Sequence, residues 1–342
     1  MKVFITGISG LLGSTMARHL INNGNEVVGI DNMIGGVEGN VPEMATYIRG
    51  DILDTELMKE SMKGCEVVFH TASLPYEGLS VFSPTITATS IVSGTLSTAV
   101  AAIDNKVRLF VNCSSMARYG HGEPPFTENM QTNPVDPYGL AKVQAEQHLK
   151  ILNDIHGLNY LTVVPHNVIG IGQRYYDPFR NVVGIMISRT LQKKPIIIYG
   201  DGEQKRSFSN VYDCIKAVYR MMESTRTDLT GQVYNIGPDH NEMTIKDLAY
   251  KVGHHCEVYP NLQHFPDRPA EVKNAYCSSQ KVRDEWNYNA TVTVDQTIKE
   301  MVNWIRPQVR EFENHLPLDF VTDKTPKTWT QKFICCLLAK NG

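Results

Sequence analysis

The chain has 342 residues, 42% of them hydrophobic and 20% charged, and its 33 basic and 36 acidic side chains leave a formal net charge of −3. That length exceeds the roughly 100–200 residues of one domain, and the ordinary apolar and charged fractions exclude a disordered, collagen-like or low-complexity protein. So even a charge balance gives no broad field for nucleic acid or anionic lipid, and a phosphate-bearing partner has to be gripped locally.

The N-terminus opens on the strand-like Met1-Lys2-Val3-Phe4-Ile5 and runs at once into glycines, without the longer apolar stretch of a signal peptide. Short β-branched runs at Val3–Thr6, Glu26–Ile30, Val67–Thr71, Arg108–Asn112 and Leu161–Val164 predict strands. Helical stripes lie between them, one of Leu12, Met16, Ala17, Leu20 and Ile21, another of Ala141, Ala145, Leu149 and Leu152. Strands alternating with helices predict parallel pairing through right-handed crossovers, hence an open, doubly wound α/β sheet. After residue 165 glycines and prolines shorten the elements, although Phe208–Met222 and the strand Gln232–Gly237 still look like sheet-and-helix material. We therefore expect one domain from residues 1–169 and 208–237, a smaller discontinuous one from 170–207 and 238–306, and a tail from Pro307, packed over the body or partly loose, that includes the apolar Phe333–Leu338. No uninterrupted apolar run of about 18 residues occurs, which predicts no membrane span. Seven dispersed cysteines (Cys65, Cys113, Cys214, Cys256, Cys277, Cys335 and Cys336) form no CxxC pattern and suit a reducing, cytoplasmic location. His254-His255-Cys256 has no spaced partner motif and predicts no metal site. Trp286, Trp304 and Trp329 lack an interleaved basic stripe, which predicts no nucleic-acid stacking surface.

The first strand runs into Thr6-Gly7-Ile8-Ser9-Gly10-Leu11-Leu12-Gly13. Glycines there permit a tight turn, close approach to a pyrophosphate and close helix packing, and the following helix N-terminus offers unpaired N–H groups to phosphates. Asp31, 18 residues beyond Gly13 at the end of the second strand, suits an adenosine ribose diol; no arginine follows it, which favours NAD over NADP. Asp51 either meets the adenine edge or belongs to a helix cap near Asp54 or Thr55. Tyr138 and Lys142 stand four residues apart on one helix face, with Asp136-Pro137 as cap and first turn. A cation beside the phenol is expected to lower its pKa and free a tyrosinate as general base. Cys113-Ser114-Ser115 ends a strand where open α/β sheets bind ligands, and no G-x-S-x-G elbow makes the serine a nucleophile.

Glycine turn, strand-end acid, strand-end serine and Tyr-xxx-Lys together resemble the extended short-chain dehydrogenase/reductase superfamily and, within it, the NAD-dependent nucleotide-sugar epimerase/dehydratase family, over residues 1 to about 300. The resemblance implies NAD as cofactor, with Ser115, Tyr138 and Lys142 catalytic. It extends the cofactor contacts from Gly7, Gly10, Gly13, Asp31 and Asp51 to Leu11, Leu12, Asn32, Ile52, Thr71, Ala72, Ser73 and Pro165. For the nucleotide sugar it implies Asn167 at the diphosphate, Tyr199 against the base, Arg206 and Arg268 on either side of the diphosphate, and further contacts from Ser115, Met116, His166, Arg174, Asn181, Val182 and Ile197. Two guanidinium forks suit a diphosphate better than flexible lysines.

Family members that dehydrate carry an Asp-Glu pair after the strand-end hydroxyl residue, and those that decarboxylate carry glutamate at the second of these positions; this chain has Met116-Ala117. The resemblance therefore implies C4 epimerisation of a UDP-hexose, with a dehydratase or reductase as alternative and a non-catalytic NAD-binding sensor as a distant one. It also implies a homodimer through helices near Val92–Asn105 and Tyr138–Asn153. His70-Thr71-Ala72-Ser73, Tyr76-Glu77-Gly78-Leu79-Ser80 and the polar loop Gln173–Asn181 depart from the commonest galactose epimerases and leave the sugar open. His166 and Arg174 are candidates for an acidic or modified sugar, and His166 equally for a packing residue.

Overall fold

A computed structural model describes residues 1–239, 241–313 and 316–330. The expected Phe333–Leu338 patch, with Cys335 and Cys336, lies outside these. β-Branched and aromatic runs form β1 (Lys2–Thr6), β2 (Glu26–Asp31), β3 (Thr46–Arg49), β4 (Val67–His70), β5 (Leu109–Cys113) and β6 (Tyr160–Pro165). Between and after them come α1 (Leu11–Asn22), α2 (Thr55–Ser61), the short α3 (Glu77–Ser80), α4 (Pro84–Ala88), α5 (Gly94–Asp104) and α6 (Pro137–His156). The later half contributes β7 (Val168–Ile169), α7 (Val182–Leu191), β8 (Ile196–Tyr199), β9 (Lys205–Arg206), β10 (Ser209–Asn210), α8 (Val211–Glu223), β11 (Gln232–Ile236), β12 (Met243–Thr244), α9 (Ile245–Cys256), β13 (Leu262–Phe265), β14 (Asn274–Ala275), α10 (Gln280–Trp286) and α11 (Val294–Ile305).

Seven parallel strands form one sheet in the order β11-β6-β5-β4-β1-β2-β3, a doubly wound Rossmann-type arrangement whose order reverses between β1 and β4. Alternate residues of each strand enter two cores. Val3, Ile5, Val67, Val111 and Val163 pack with Met16 and Leu20 of α1 and Ile215 of α8, while Phe4, Val28, Val68 and Phe110 pack with Met58, Ala102 and Leu149. Both faces are thus covered, which is why these strands read as continuous apolar runs.

β11 brings the chain back beside β6 after α8. α10, grouped with the second unit from sequence, instead packs Val282 and Trp286 into the sheet's core. A separate core of Ile187, Ile198, Leu248, Val252, Ile298 and Met301 joins α7, α9 and α11 to β8. β9 pairs with β12 and β14, and β8 with β13.

The helical run Pro84–Asp104, made of α4, a π turn at Thr89–Ser93 and α5, is long and apolar enough to cross a membrane by length and composition alone. Hydroxyl residues masked it, because they interrupt the apolar pattern yet satisfy themselves within the helix: Thr87 donates to Ser83 O and Thr98 to Gly94 O. Half of the tested window is buried inside the protein, in contact with α6 and β4, so the run already has a protein core to cover.

Candidate active site

A cleft of about 560 Å³ crosses the C-terminal ends of the central strands. At one end lies the glycine turn. Gly7 has φ +73° and donates to Ile30 O at 2.8 Å, so β1 leaves the sheet through a left-handed residue held against β2. A Cβ at Gly13 would collide with the carbonyl of Gly7; this glycine lets α1 sit against the turn and does not itself line the cleft. α1 begins after Gly10 with no side-chain cap and no acid in its first turn, which leaves N–H groups and a positive dipole for a pyrophosphate. Asp31 accepts from the N–H groups of Ser9 (3.1 Å) and Met33 (2.8 Å), which fixes a carboxylate with lone pairs to spare at the cleft edge. Asn32 donates to Asp51 at 2.9 Å, and Asp51 also accepts from Leu53 N–H; Asp54, not Asp51, caps α2.

His70 in β4 bridges Thr6 Oγ1 (2.8 Å) and Thr95 Oγ1 (3.0 Å), and burial pushes its pKa down to about 3, so it is a neutral clamp between strand and helix. Thr71 donates to Thr6 O at 2.7 Å, which fixes the exit loop so that Thr71, Ala72 and Ser73 line the cleft. Leu11, Leu12, Ile52 and Pro165 line it as well. This end fits a dinucleotide: glycine cradle, uncapped helix start, strand-end acid and apolar walls converge on one channel.

Mid-cleft, α6 starts with Asp136 accepting from Gly139 N–H at 2.7 Å and Pro137 in the first turn. Tyr138 and Lys142 follow on the buried face, with Lys142 Nζ 5.9 Å from the phenol ring centre and donating to Cys113 O at 2.7 Å. Ser115 Oγ accepts from Ala117 N–H at 3.2 Å and hydrogen-bonds the Tyr138 phenol. Burial holds the phenol above its usual pKa; the Ser115 hydrogen bond opposes this, and Lys142, itself lowered by burial, does not reverse it. The expected tyrosinate is therefore not the resting state: water exclusion outweighs the neighbouring cation.

At the far end β9 presents Arg206, whose Nη2 reaches Glu271 Oε1 (2.9 Å) and Val272 O (2.7 Å). Arg268 grips the other Glu271 oxygen at 2.6 Å and stacks over the Tyr199 ring at 4.9 Å. Asn167, Asn181, Val182 and Ile197 complete this end, and Met116 lines an adjoining side pocket shared with Glu77, Asp136 and both arginines.

The profile of the NAD dependent epimerase/dehydratase family matches residues 3–237. The chain belongs to that family, and its cofactor is NAD. Among relatives, UDP-glucose 4-epimerase of Mycolicibacterium smegmatis is 28% identical over 90% of this chain and 99% of its own length. Among solved structures, UDP-glucose 4-epimerase of Thermotoga maritima with UDP-glucose superposes with TM-score 0.85 at 27% identity, covering 91% of this chain and all of that one. UDP-glucuronic acid 4-epimerase of Bacillus cereus, in complex with UDP-glucuronic acid and NAD, gives 0.84 at 25% identity over 90% and 99%.

Besides Gly13, two sequence candidates line neither the cleft nor its side pocket. His166 is fully buried between Gly237 and Ser209, and desolvation drives its pKa down to about 3. Arg174 is buried too and donates to Ile34 O (3.0 Å) and Gly36 O (3.3 Å), so it ties the loop after β2 to the loop before α7. Conversely, Glu77, Arg189, Phe312, Thr328 and Trp329 line the cleft and were not assigned to the site from sequence. Glu77 lay within a quoted departure, and a carboxylate beside the strand-end region was its only signal.

Proposed function

We propose that the chain interconverts two C4 epimers of a UDP-hexose. The carrying observation is that Ser115 and Tyr138 form one hydrogen-bonded pair, beside Lys142 and in the same cleft as the arginine pair, with the carboxyl-free Met116 and Ala117 next to it. NAD, when bound, supplies a hydride acceptor that can later return the hydride. Tyr138, once it has released its own proton to solvent, takes the proton of the sugar hydroxyl and gives it back, Ser115 orients that oxygen, and Lys142 fixes a positive charge beside them. Arg206 and Arg268 anchor the diphosphate, so the sugar is the part that turns to present its other face. Met116 and Ala117 cannot carry the protons that dehydration would require.

The similarity to UDP-glucose 4-epimerases supports the substrate class. The test is incubation of purified protein and NAD with UDP-glucose, read by NMR and mass. The expected product is an isomer of unchanged mass with no net NADH; loss of water or stoichiometric NADH consumption would refute the reading. A homodimer is part of this proposal. α5 leaves Val100 exposed and α6 leaves Leu140, Ile151 and Ile155 exposed, and sedimentation is expected to give twice the 38.4 kDa chain mass.

A further inference from the structure

Glu77 begins the four-residue α3, immediately after β4 and its exit loop. Its mount is rigid. The preceding Tyr76 is buried and donates to Asp177 at 2.6 Å, which turns the next side chain toward the cleft. Ser80 Oγ donates to Glu77 O at 2.6 Å and accepts from Tyr138 N–H at 3.2 Å, so one hydroxyl joins the backbones of Glu77 and Tyr138. The carboxylate is exposed to both the main cleft and the Met116 side pocket, and among the described residues no hydrogen-bond donor pairs with it.

The charged and titratable groups around it are Asp136, Arg206, Glu271, Arg268 and the Tyr138 phenol. Both arginines are shared with Glu271, and the diphosphate of the proposed substrate would bring further negative charge to them. A sugar held between these arginines and Tyr138 thus meets a carboxylate that lacks a donor, in a region where anions already outnumber cations. The cleft's other cations are engaged by the protein: Lys142 donates to Cys113 O and Arg189 to Pro195 O. Arg174 is directed to backbone carbonyls, and Arg180, which also lines the cleft, is engaged by Gly35 O (2.9 Å) and the Tyr76 ring (5.1 Å).

We infer that Glu77 selects the sugar by charge: it accepts hydrogen bonds from a neutral hexosyl group and repels one bearing a carboxylate, so hexoses rather than hexuronates are the substrates. This rests on the UDP-sugar reading above. Although Glu77 opens onto the cleft, the protein atoms crowded round it there and the like charge of Asp136 outweigh Arg206 and Arg268 and push its carboxyl up to about 7. Its proton is therefore largely bound at about pH 6 and lost by about pH 8, and the repulsion should switch on over that window.

The experiment measures dissociation constants of UDP-glucose and UDP-glucuronic acid for the full chain with NAD, at about pH 6 and about pH 8, in the unmodified protein and in Glu77→Gln. The unmodified protein is expected to favour UDP-glucose by at least about tenfold at the higher pH, with the preference shrinking at the lower one. Glu77→Gln should shrink it at the higher pH and change it little at the lower one, where the carboxyl already holds its proton. A preference that ignores both pH and Glu77→Gln, or one for UDP-glucuronic acid at the higher pH, overturns the proposal, and the pH arm stands even if the variant fails to fold. Glu77-dependent preference without isomerisation would support charge selection while removing the epimerase reading; no binding of either sugar nucleotide would overturn both.

Discussion

Tyr138 stands where its ionisation is opposed, and that shapes what substitution should do. The phenol is 6% exposed, hydrogen-bonded to Ser115 and next to a lysine whose own charge is disfavoured by burial. Such a group holds its proton at rest and must release it to solvent before it can take one from a substrate hydroxyl. Tyr138→Phe keeps the ring and its packing but removes the proton carrier, so turnover should fall about 10²–10⁴-fold with an unchanged circular dichroism spectrum. Lys142→Met removes the charge fixed at Cys113 O and should act in the same direction; full activity in both variants would end the assignment. Arg206→Ala and Arg268→Ala each delete one charge-assisted grip and should raise the KM for nucleotide sugar about 10–100-fold, measured by initial rates. Ser115, Tyr138 and Lys142 were legible in the sequence because their geometry is local: an i,i+4 step and a strand end. Arg174 was misleading because a guanidinium in a polar loop looks ligand-seeking until the carbonyls that satisfy it, more than 130 residues away in sequence, are seen.

The helix α6 does more than carry the tyrosine and lysine. One turn further, on the same face, Glu146 forms a 2.8 Å ion pair with Arg118 and accepts from Ser114, with Arg118 only 7% exposed. This ties the helix to the loop that bears Ser115. Among the described residues Nε and Nη1 of Arg118 have no hydrogen-bond partner, so truncating the carboxylate leaves a buried guanidinium uncompensated. Glu146→Ala should cost about 3–5 kcal/mol in urea unfolding, the range for breaking a buried pair from one side. Glu146→Gln, which keeps an acceptor, should cost less and separate lost stability from lost turnover. The alternating strands and α1, α6 and α8 follow from periodicity, since the sheet is covered on both faces. The short β7, β9, β10, β12 and β14 have two residues each and carry no period, yet β9 delivers Arg206. Their placement depends on long-range pairing such as Lys205 with Thr244 and with Asn274, which no local pattern encodes.

At the scale of the whole molecule, the described chain after α11 folds back over the end of the cleft that holds Tyr199 and Arg268. Glu313 N–H reaches Tyr176 O, Ser83 donates to Pro317 O at 2.7 Å, and Asp319 N–H meets Phe82 O at 2.9 Å. These contacts lead Thr328 to within 2.7 Å of the Tyr199 hydroxyl and set Trp329 edge-on against Phe179 (5.0 Å) and Phe82 (5.7 Å). The tail thus supplies wall to a site whose chemistry belongs to α6 and β5, and it braces the tyrosine on which Arg268 stacks. Trp329→Ala removes two aromatic contacts at the partly exposed cleft margin and should lower stability by only about 1–2 kcal/mol. Because Ser115, Tyr138 and Lys142 lie in the sheet-borne part, the variant should raise the KM for UDP-glucose several-fold while kcat changes little. A fall in kcat at unchanged KM would instead mean that the tail acts on the proton-transfer centre, and initial-rate measurements across a substrate series distinguish the two.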